Sequence, residues 1–570
     1  GADSASLFSC FGPRYSPMLG IDLGTTNSLA AVFVDGQTQL IPNALGHVMT
    51  PSAVSVEPAG TVLVGLAARE RHATAPQDTA LAFKRFMGTD HIVKLRGQKF
   101  RAEELSALVL RSLKADAEAH LGHAVDEAVI TVPAYFNQLQ RKATQTAATL
   151  AGLRVTRLLN EPTAAGLAYG LQERADHTTF LVFDLGGGTF DVSVLEYFDG
   201  VVQVRASAGD TRLGGEDWVR ALLDGAMAAL NLSASQKEHL RGNGLALRAA
   251  EQAKRDLSER AQTTLQLPGF AAQPLSRDAF ESASSELMLR LRRPIERALG
   301  DARLNSGELG EVVLVGGATR MPMIRHAVAR LFGKLPLRTI NPDETIARGA
   351  AIQAALLARD AALEEVVLTD VMPYSLGLGI VDDRFSPIIE RNMPVPVSRI
   401  GRYHTVRDHQ TKLDLDICQG ESPIASENLQ LQRVSVNVPP LPKGEAMVDV
   451  RFSYDANGLL VVDIADVHTG EITNVVIQQR EHELVGEALA EALKALDRIK
   501  IHPREHQENA VLLERCKRLY EDRLGAERMQ IQEALVAFQN ALDGQDPEVI
   551  ARVRGQVQSF LDEIDRGFVL

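Results

Sequence analysis

The sequence predicts three architectures in one chain: an α/β half, a strand-rich β-sandwich and a helical end. Three observations carry this. Glycine-rich stretches recur far apart, as Ile21-Asp22-Leu23-Gly24-Thr25-Thr26-Asn27, Phe183-Asp184-Leu185-Gly186-Gly187-Gly188-Thr189-Phe190-Asp191 and Val315-Gly316-Gly317-Ala318-Thr319-Arg320. Around Asp360 to Asp370 the mixture of short apolar runs and Ala-rich segments gives way to strict alternation. From Glu483 onward, long segments rich in Glu, Lys, Arg, Leu and Ala replace the strands. At 570 residues the chain is too long for one core.

In chain order, residues 1–17 are small and polar, without a basic region leading into a long apolar one. They read as an extension before Met18 and not as a secretory signal. The α/β unit spans 18–362, with buried strands expected at Met18 to Leu23, Thr179 to Leu185 and Glu311 to Val315. Amphipathic helices are expected at Ala102 to His120 and Gln138 to Ala151. A connecting segment follows at 363–372, then the sandwich at 373–482. Its strands are expected at Leu413 to Ile417, Leu429 to Leu431, Ser435 to Val438 and Val448 to Phe452, each with one wet and one buried face. Helices fill 483–570, broken near His502-Pro503 and Gln545-Asp546-Pro547.

The turns carry the chemistry. Glycine lets the backbone bend tightly and aim amide hydrogens at phosphate oxygens, and an aspartate at the strand end can hold a divalent cation through water. Gly24, Thr25, Thr26 and Asn27 form one such turn; Gly186, Gly187, Gly188 and Thr189 form the other. Used twice, the device suggests a duplicated fold clasping a triphosphate. The hydroxyls of Thr25 and Thr189 either donate to phosphate or stabilise their turns. A net charge of −13 favours solubility and disfavours general nucleic-acid binding. No stretch has the apolar length of a membrane span. Cys10, Cys418 and Cys516 lack metal-ligand spacing and fit incidental thiols in a reducing cytosol.

The order and wording of these motifs resemble the 70-kilodalton heat-shock chaperone family from about Met18 to the C-terminus. The resemblance implies an actin-like, ribonuclease H-like duplicated ATPase domain, a peptide-binding sandwich and a helical lid. Its implied cofactors are ATP or ADP, Mg²⁺ and, as a further candidate, K⁺. Lys84, in Ala82-Phe83-Lys84-Arg85-Phe86, falls at the catalytic lysine; read alone it is a helix-surface lysine. Glu161, before Pro162, matches the residue that places the cation and the attacking water, or simply starts a helix. Asp22 and Asp191 share that task, with Asp184 close to the metal and the water. Glu251, Lys254, Arg255 and Ser258 lie near one helical face and match the adenosine clamp, together with Gly316, Gly317, Arg320 and Asp343. Their plain alternatives are a charged helix surface and, for Asp343, a helix cap.

The same resemblance gives the sandwich and the connecting segment their expected roles. Pro133 and Arg141 match residues that relay the nucleotide state; Arg157 and Asp370 match positions answering a J-domain co-chaperone. Either arginine serves equally well in a surface ion pair. The stretch Val366-Val367-Leu368-Thr369, between acids, stands where the family has a leucine-rich linker, or is an edge strand. Leu378, Ile380, Tyr403, Leu413 and Leu415 match a cleft for extended apolar client segments, with core packing as the alternative for Leu413 and Leu415.

Departures from the family narrow the expectation. Val381 and Val406 stand at the arch over the cleft, where many relatives carry methionine and alanine, which points to a specialised client range. The chain is short between Phe86 and Leu105, so use of the usual nucleotide-exchange factor is doubtful. It also has a short helical end, from which looser client trapping is expected. These features resemble the specialised bacterial HscC branch. The expected protein is a cytoplasmic monomer that binds unfolded polypeptides. A sugar kinase or an actin-like filament protein shares the phosphate turns but leaves the sandwich unexplained; a nucleotide sensor serving one dedicated partner is the closer rival.

Overall fold

A computed structural model describes residues 18–170, 177–198, 200–337, 341–360, 363, 367–477, 484 and 486–566. The expected N-terminal extension, the acidic start of the connecting segment at 364–366 and the end at 567–570 lie outside them.

The duplication read from two turns is a duplication of sheets. In the first lobe, Leu19–Asp22 turns into the antiparallel Asn27–Val34, which pairs with Gln37–Leu40. Glu127–Val132 lies parallel to Leu19–Asp22 on its other side, followed by Arg154–Asn160. The second lobe repeats this plan: Thr178–Leu185 turns into Phe190–Phe198 and then Val201–Asp210, with Glu311–Val315 parallel on the other side. Both first strands are buried along their apolar length, as their Ile, Leu, Val and Phe content requires. Each ends in Asp-Leu-Gly, so both turns open at the same end of their sheets.

Two helices join the lobes. Glu161–Gly170 leaves the end of the first lobe's outer strand, and Thr345–Leu357 crosses it, with Ala164, Ala165, Ile346 and Ala350 sharing a core with Val182 and Val313. The crossing is close. A Cβ built on Gly349 would lie 1.8 Å from the Ala164 carbonyl oxygen, and one on Gly20 would lie 2.1 Å from the Ala351 nitrogen. Helix meets helix and strand through backbone here, which only glycine permits.

The strand Val367–Val371 belongs to two domains. It extends the second lobe's sheet in parallel, pairing Val367, Leu368 and Thr369 with Val201, Val202 and Gln203. Asp370 and Val371 then pair with Val395 and Pro394 of the sandwich. The two readings of this segment, docked linker and edge strand, meet in one element.

The sandwich has two antiparallel four-stranded sheets, ordered 384–389, 376–380, 412–419, 429–437 and 397–404, 447–454, 460–466, 472–476. Alternation is strict where it was read: Leu413, Leu415 and Ile417 are buried from one sheet and Val448, Val450 and Phe452 from the other. The strands expected at 429–431 and 435–438 are a single strand, Leu429–Asn437. The intervening Gln432-Arg433 looks like a break, yet its polar side chains suit the wet side of a continuous strand.

The helical end, expected as a lid over the sandwich, packs on the first lobe. Ala492 and Leu496 of Gly486–Arg498 enter that lobe's core. Between helices, Val62 donates to the Lys500 carbonyl at 2.8 Å and His502 donates to the Val62 carbonyl at 2.9 Å, so the hinge adds to a sheet edge. Arg504 pairs with Asp116 at 2.8 Å and Arg111 with Asp497 at 2.8 Å. Gln507–Asp522, Gly525–Asp543 and Pro547–Arg566 form a bundle around Leu519, Ile531, Phe538 and Leu561.

Gly349→Ala should force these joining elements apart against unyielding backbone. Thermal unfolding should show a loss of about 1–3 kcal/mol, the usual range for overpacking, while Gly300→Ala, at a helical site with open space around it, should not destabilise.

Candidate functional site

The two phosphate-type turns face each other at contact distance. A Cβ on Gly187 would sit 1.7 Å from Thr26 Oγ1, and one on Gly188 2.5 Å from Thr25 Cγ2. Glycine is therefore required by the opposite turn as well as by its own bend. Gly316, at φ 85°, backs the second turn, since a Cβ there would lie 2.3 Å from the Leu185 carbonyl oxygen. Between the lobes is a cleft of about 460 Å³ whose walls include Gly24, Thr25, Thr26, Asn27, Gly186, Gly187 and Thr189. The expected carboxylates Asp22, Glu161 and Asp184, with Lys84, line its floor.

Strand register places these acids. Asp184 and Asp191 are directly paired across their hairpin, and Asp22 ends the matching strand of the other lobe. Asp22, Glu161, Asp184 and Asp191 are all buried, with Lys84 the buried cation among them. Lys84 is not the helix-surface lysine that local sequence suggests: it is 4% exposed on a single 3₁₀ turn, its Nζ 3.0 Å from Glu161 Oε1. Glu161 opens the helix Glu161–Gly170, as its plain reading has it, and also makes this pair.

Burial, followed by the Glu161 charge, pushes the Asp22 carboxyl up to about 7 and that of Asp191 up to about 8. The same two causes hold Asp184 well above the carboxylate range. Asp184 Oδ2 and Asp191 Oδ2 are buried without any hydrogen-bond partner. Such orphaned anionic oxygens fit a missing cation or its water shell. Among the described residues no three acidic, histidine or cysteine side chains converge as a direct metal cage.

The far end of the cleft is built by the helix Gly244–Glu259. Glu251 pairs with Lys254 and Arg255 at 2.9 Å each. Burial raises the Glu251 carboxyl, but these cations outweigh it and bring it down to about 2. Ser258 Oγ donates back to the Lys254 carbonyl. Opposite, Arg320 pairs with Asp343 at 2.6 Å and donates to Asn341 at 2.8 Å. Asp343 thus anchors an arginine at the rim; the residue preceding the helix Thr345–Leu357 is Glu344. Gly317 lies beside Asp343, a Cβ there falling 2.8 Å from Oδ1.

Sequence reasoning missed the groups that hold the lobes together over this cleft. Arg85 pairs with Asp217 at 2.5 Å, Arg248 with Glu70 at 2.9 Å, and Thr26 donates to Glu216 at 3.3 Å. Arg85 sits beside Lys84 in the chain; the other pairs left no local signal.

Two of the expected relay residues, Arg141 and Asp370, meet at Asn160. Arg141 donates to Asn160 Oδ1 at 2.6 Å and to the carbonyls of Phe136 and Ala134. It is 3% exposed, so the surface ion-pair alternative does not apply to it. Asn160 Nδ2 donates to Asp370 Oδ2 at 2.6 Å, which also accepts from Thr163. Arg157 and Asp370 line one small cavity, and burial lowers the Arg157 value. Pro133 starts the turn that carries Tyr135, whose amide donates to Asp191 Oδ1 at 3.2 Å.

The peptide-cleft candidates divide. Leu378, Leu413 and Leu415 are buried in the sandwich core, which is the core-packing alternative. Ile380 and Tyr403 are half-buried against them, Tyr403 sharing a hydrogen bond with Ser386. Val381 and Val406 are exposed.

Carboxyls that hold protons more tightly folded than unfolded stabilise the protein fully at low pH, and that stabilisation is lost as pH rises through the folded values of about 7 and 8. Without divalent cation, the melting temperature should therefore fall from about pH 5 to about pH 9. Asp191→Asn should flatten that slope, and Mg²⁺ with nucleotide should flatten it in the unsubstituted protein; an unchanged slope in Asp191→Asn would contradict the assignment.

Comparison with known proteins gives the family. The family profile described as Hsp70 protein matches residues 18–92 and 89–546. The chain is 41% identical over 520 residues to the chaperone protein DnaK of Thermotoga neapolitana, covering 88% of this chain and 86% of the relative. It is 43% identical over 488 residues to the DnaK proteins of Thermotoga petrophila and Thermotoga maritima, covering 82% and 81%. The chain belongs to the Hsp70 family and is an ATP-dependent chaperone with ATPase activity.

Proposed function

We propose that the cleft hydrolyses ATP slowly and that its nucleotide state sets the grip of the sandwich on extended apolar segments of unfolded polypeptides. The observation that carries this is a juxtaposition. Asn160, one residue from Glu161, bonds at once to Arg141 and to Asp370 of the strand shared with the sandwich.

In this reading the amides of both glycine turns, including Gly188, and the hydroxyls of Thr25 and Thr189 cradle the phosphates. The face formed by Glu251, Lys254, Arg255 and Ser258 holds the adenosine from one side; Gly316, Gly317 and Arg320, steadied by Asp343, hold it from the other. Mg²⁺, when bound, would offset the charge that develops on the phosphate oxygens. Asp22, Asp184, Asp191 and Glu161 hold its water shell. Lys84 turns from Glu161 to donate to the γ-phosphoryl oxygens, which frees Glu161 to accept a hydrogen bond from the attacking water. Asp184 and Asp191 orient that water in line with the leaving oxygen. A K⁺ beside the phosphates suits the surplus of carboxylate.

The readout follows the hydrogen bonds. A shift of Glu161 moves Asn160, Arg141 and Asp370, and Asp370 lies in the strand Val367–Val371 that docks the sandwich. A J-domain co-chaperone acting at Arg157 and Asp370 belongs to this proposal, as does a client cleft at Leu378, Ile380, Tyr403, Leu413 and Leu415. Val381 and Val406 over that cleft support a specialised client range, and the short segment after Phe86 supports independence from the usual exchange factor. No described helix is long and apolar enough to cross a membrane, and a cytoplasmic monomer fits the reading.

Single-turnover ATP hydrolysis with a panel of extended apolar peptides tests the proposal. Lys84→Ala should reduce the rate about a hundredfold or more, and at least one peptide should stimulate the unsubstituted protein. Hydrolysis indifferent to every peptide would instead support a nucleotide sensor for a dedicated partner.

A further inference from the structure

First lobe, second lobe and helical end meet at the carboxylate of Glu70. It lies in the short helix Leu66–Arg71 and is 7% exposed. Its Oε1 accepts from Arg248 Nη2 at 2.9 Å, and its Oε2 from Arg518 Nε at 2.9 Å. Arg248 belongs to the second-lobe helix Gly244–Glu259, one turn before Glu251. Arg518 belongs to Gln507–Asp522 in the helical end.

The backbone reinforces this junction on both sides. A Cβ on Gly244 would lie 2.0 Å from the His72 carbonyl oxygen, so the start of the nucleotide-facing helix rests directly on the chain that leaves Leu66–Arg71. On the opposite side, Ala510 packs with Ala67 and Ala68. The short helix is thus held between the element that shapes the adenosine pocket and the element that docks the helical end.

We infer that Arg518 is a positioning residue for bound nucleotide: through Glu70 it holds Arg248, and with it the Gly244–Glu259 helix, closed over the cleft. The inference rests on the nucleotide reading of that cleft. Each arginine uses its own carboxylate oxygen, so both bonds form together, and the rotamer freedom of Glu70 is lost only once for two contacts. The arginines repel one another, but with the anion between them the shared carboxylate outweighs that repulsion. Losing Arg518 leaves one buried oxygen of Glu70 without a donor and loosens the carboxylate that Arg248 grips. Docking of the helical end therefore slows nucleotide release.

The test is release of a fluorescent ATP analogue from the full-length protein with Mg²⁺. Arg518→Met and Arg248→Met should each speed release about three- to tenfold, and the double variant should be no faster than the faster single one. The single-turnover hydrolysis constant of bound ATP should be unchanged in Arg518→Met. Arg554→Met removes contacts to Glu508 and Asn509 inside the helical end and shares no partner with Arg518 or Glu70, so its release should match the parent. Arg518→Lys should recover part of the slow release, and Glu70→Gln, which keeps the side chain's shape, should reproduce the fast one. Release from Arg518→Met at or below the parent rate, multiplying effects in the double variant, or an equal effect of Arg554→Met would each overturn the inference. Absence of ATP binding by the parent protein would remove the cleft reading and this inference with it.

Discussion

Asn160 and Glu161 are consecutive residues, and the step between them is where strand becomes helix in the first lobe. Glu161 turns toward Lys84 and the acid-lined floor of the cleft, while Asn160 turns toward Arg141 and Asp370. Neither side chain moves freely, because Asn160 is 7% exposed and Glu161 5%. Packed interiors respond to displacement by switching arrangement more readily than by stretching. On the function proposed above, a rearrangement at the phosphates would be felt one peptide away, at the strand that ties sandwich to lobe.

The charge balance of the floor explains why it answers to ligands. Four buried carboxylates surround one buried ammonium, and the protein gives the outermost oxygens of Asp184 and Asp191 no donor. Desolvated anions at this density are held by raised proton affinity when nothing else is bound. A hydrated divalent cation with a polyphosphate replaces protons by metal charge and satisfies the same oxygens. Folding stability at this site is thus exchanged for ligand affinity, a pattern of groups that act chemically more than structurally.

What was legible in the sequence was local. Paired Asp-Leu-Gly turns declare themselves because only glycine permits the bend, and the contact between Gly187 and Thr26 adds a second reason visible only in three dimensions. Alternation gave the sandwich its faces and the motif order gave the family. Lys84 shows the limit: nothing local separates it from a surface lysine, because its burial is made by Phe136 and Glu161, far along the chain. The bridge through Glu70 joins residues 178 and 448 positions apart and left no trace in periodicity or spacing. Leu413 and Leu415 were ambiguous for a different reason, since the alternation that builds a core also builds a peptide cleft lined from that core.

The docked strand is poised by its brevity. It meets the second lobe over three register pairs and the sandwich over two, with Val367 exposed and Leu368 and Thr369 half-buried. At about 0.5–1.5 kcal/mol net per backbone hydrogen bond, such a seam contributes only a few kcal/mol. That lies within reach of the differential binding free energy of one ligand, about 1–3 kcal/mol in typical couplings. The central strands of the second lobe, Thr178–Leu185 and Phe190–Phe198, run eight and nine residues and are buried over most of their length. Undocking can therefore proceed while the lobes stay folded, and the side on which the helical end rests, through the carboxylate of Glu70, is the same side that shapes the nucleotide pocket. The sandwich, through Val367–Val371, thus holds an edge of the second lobe and the helical end holds an edge of the first, each across a boundary bridged by few backbone hydrogen bonds.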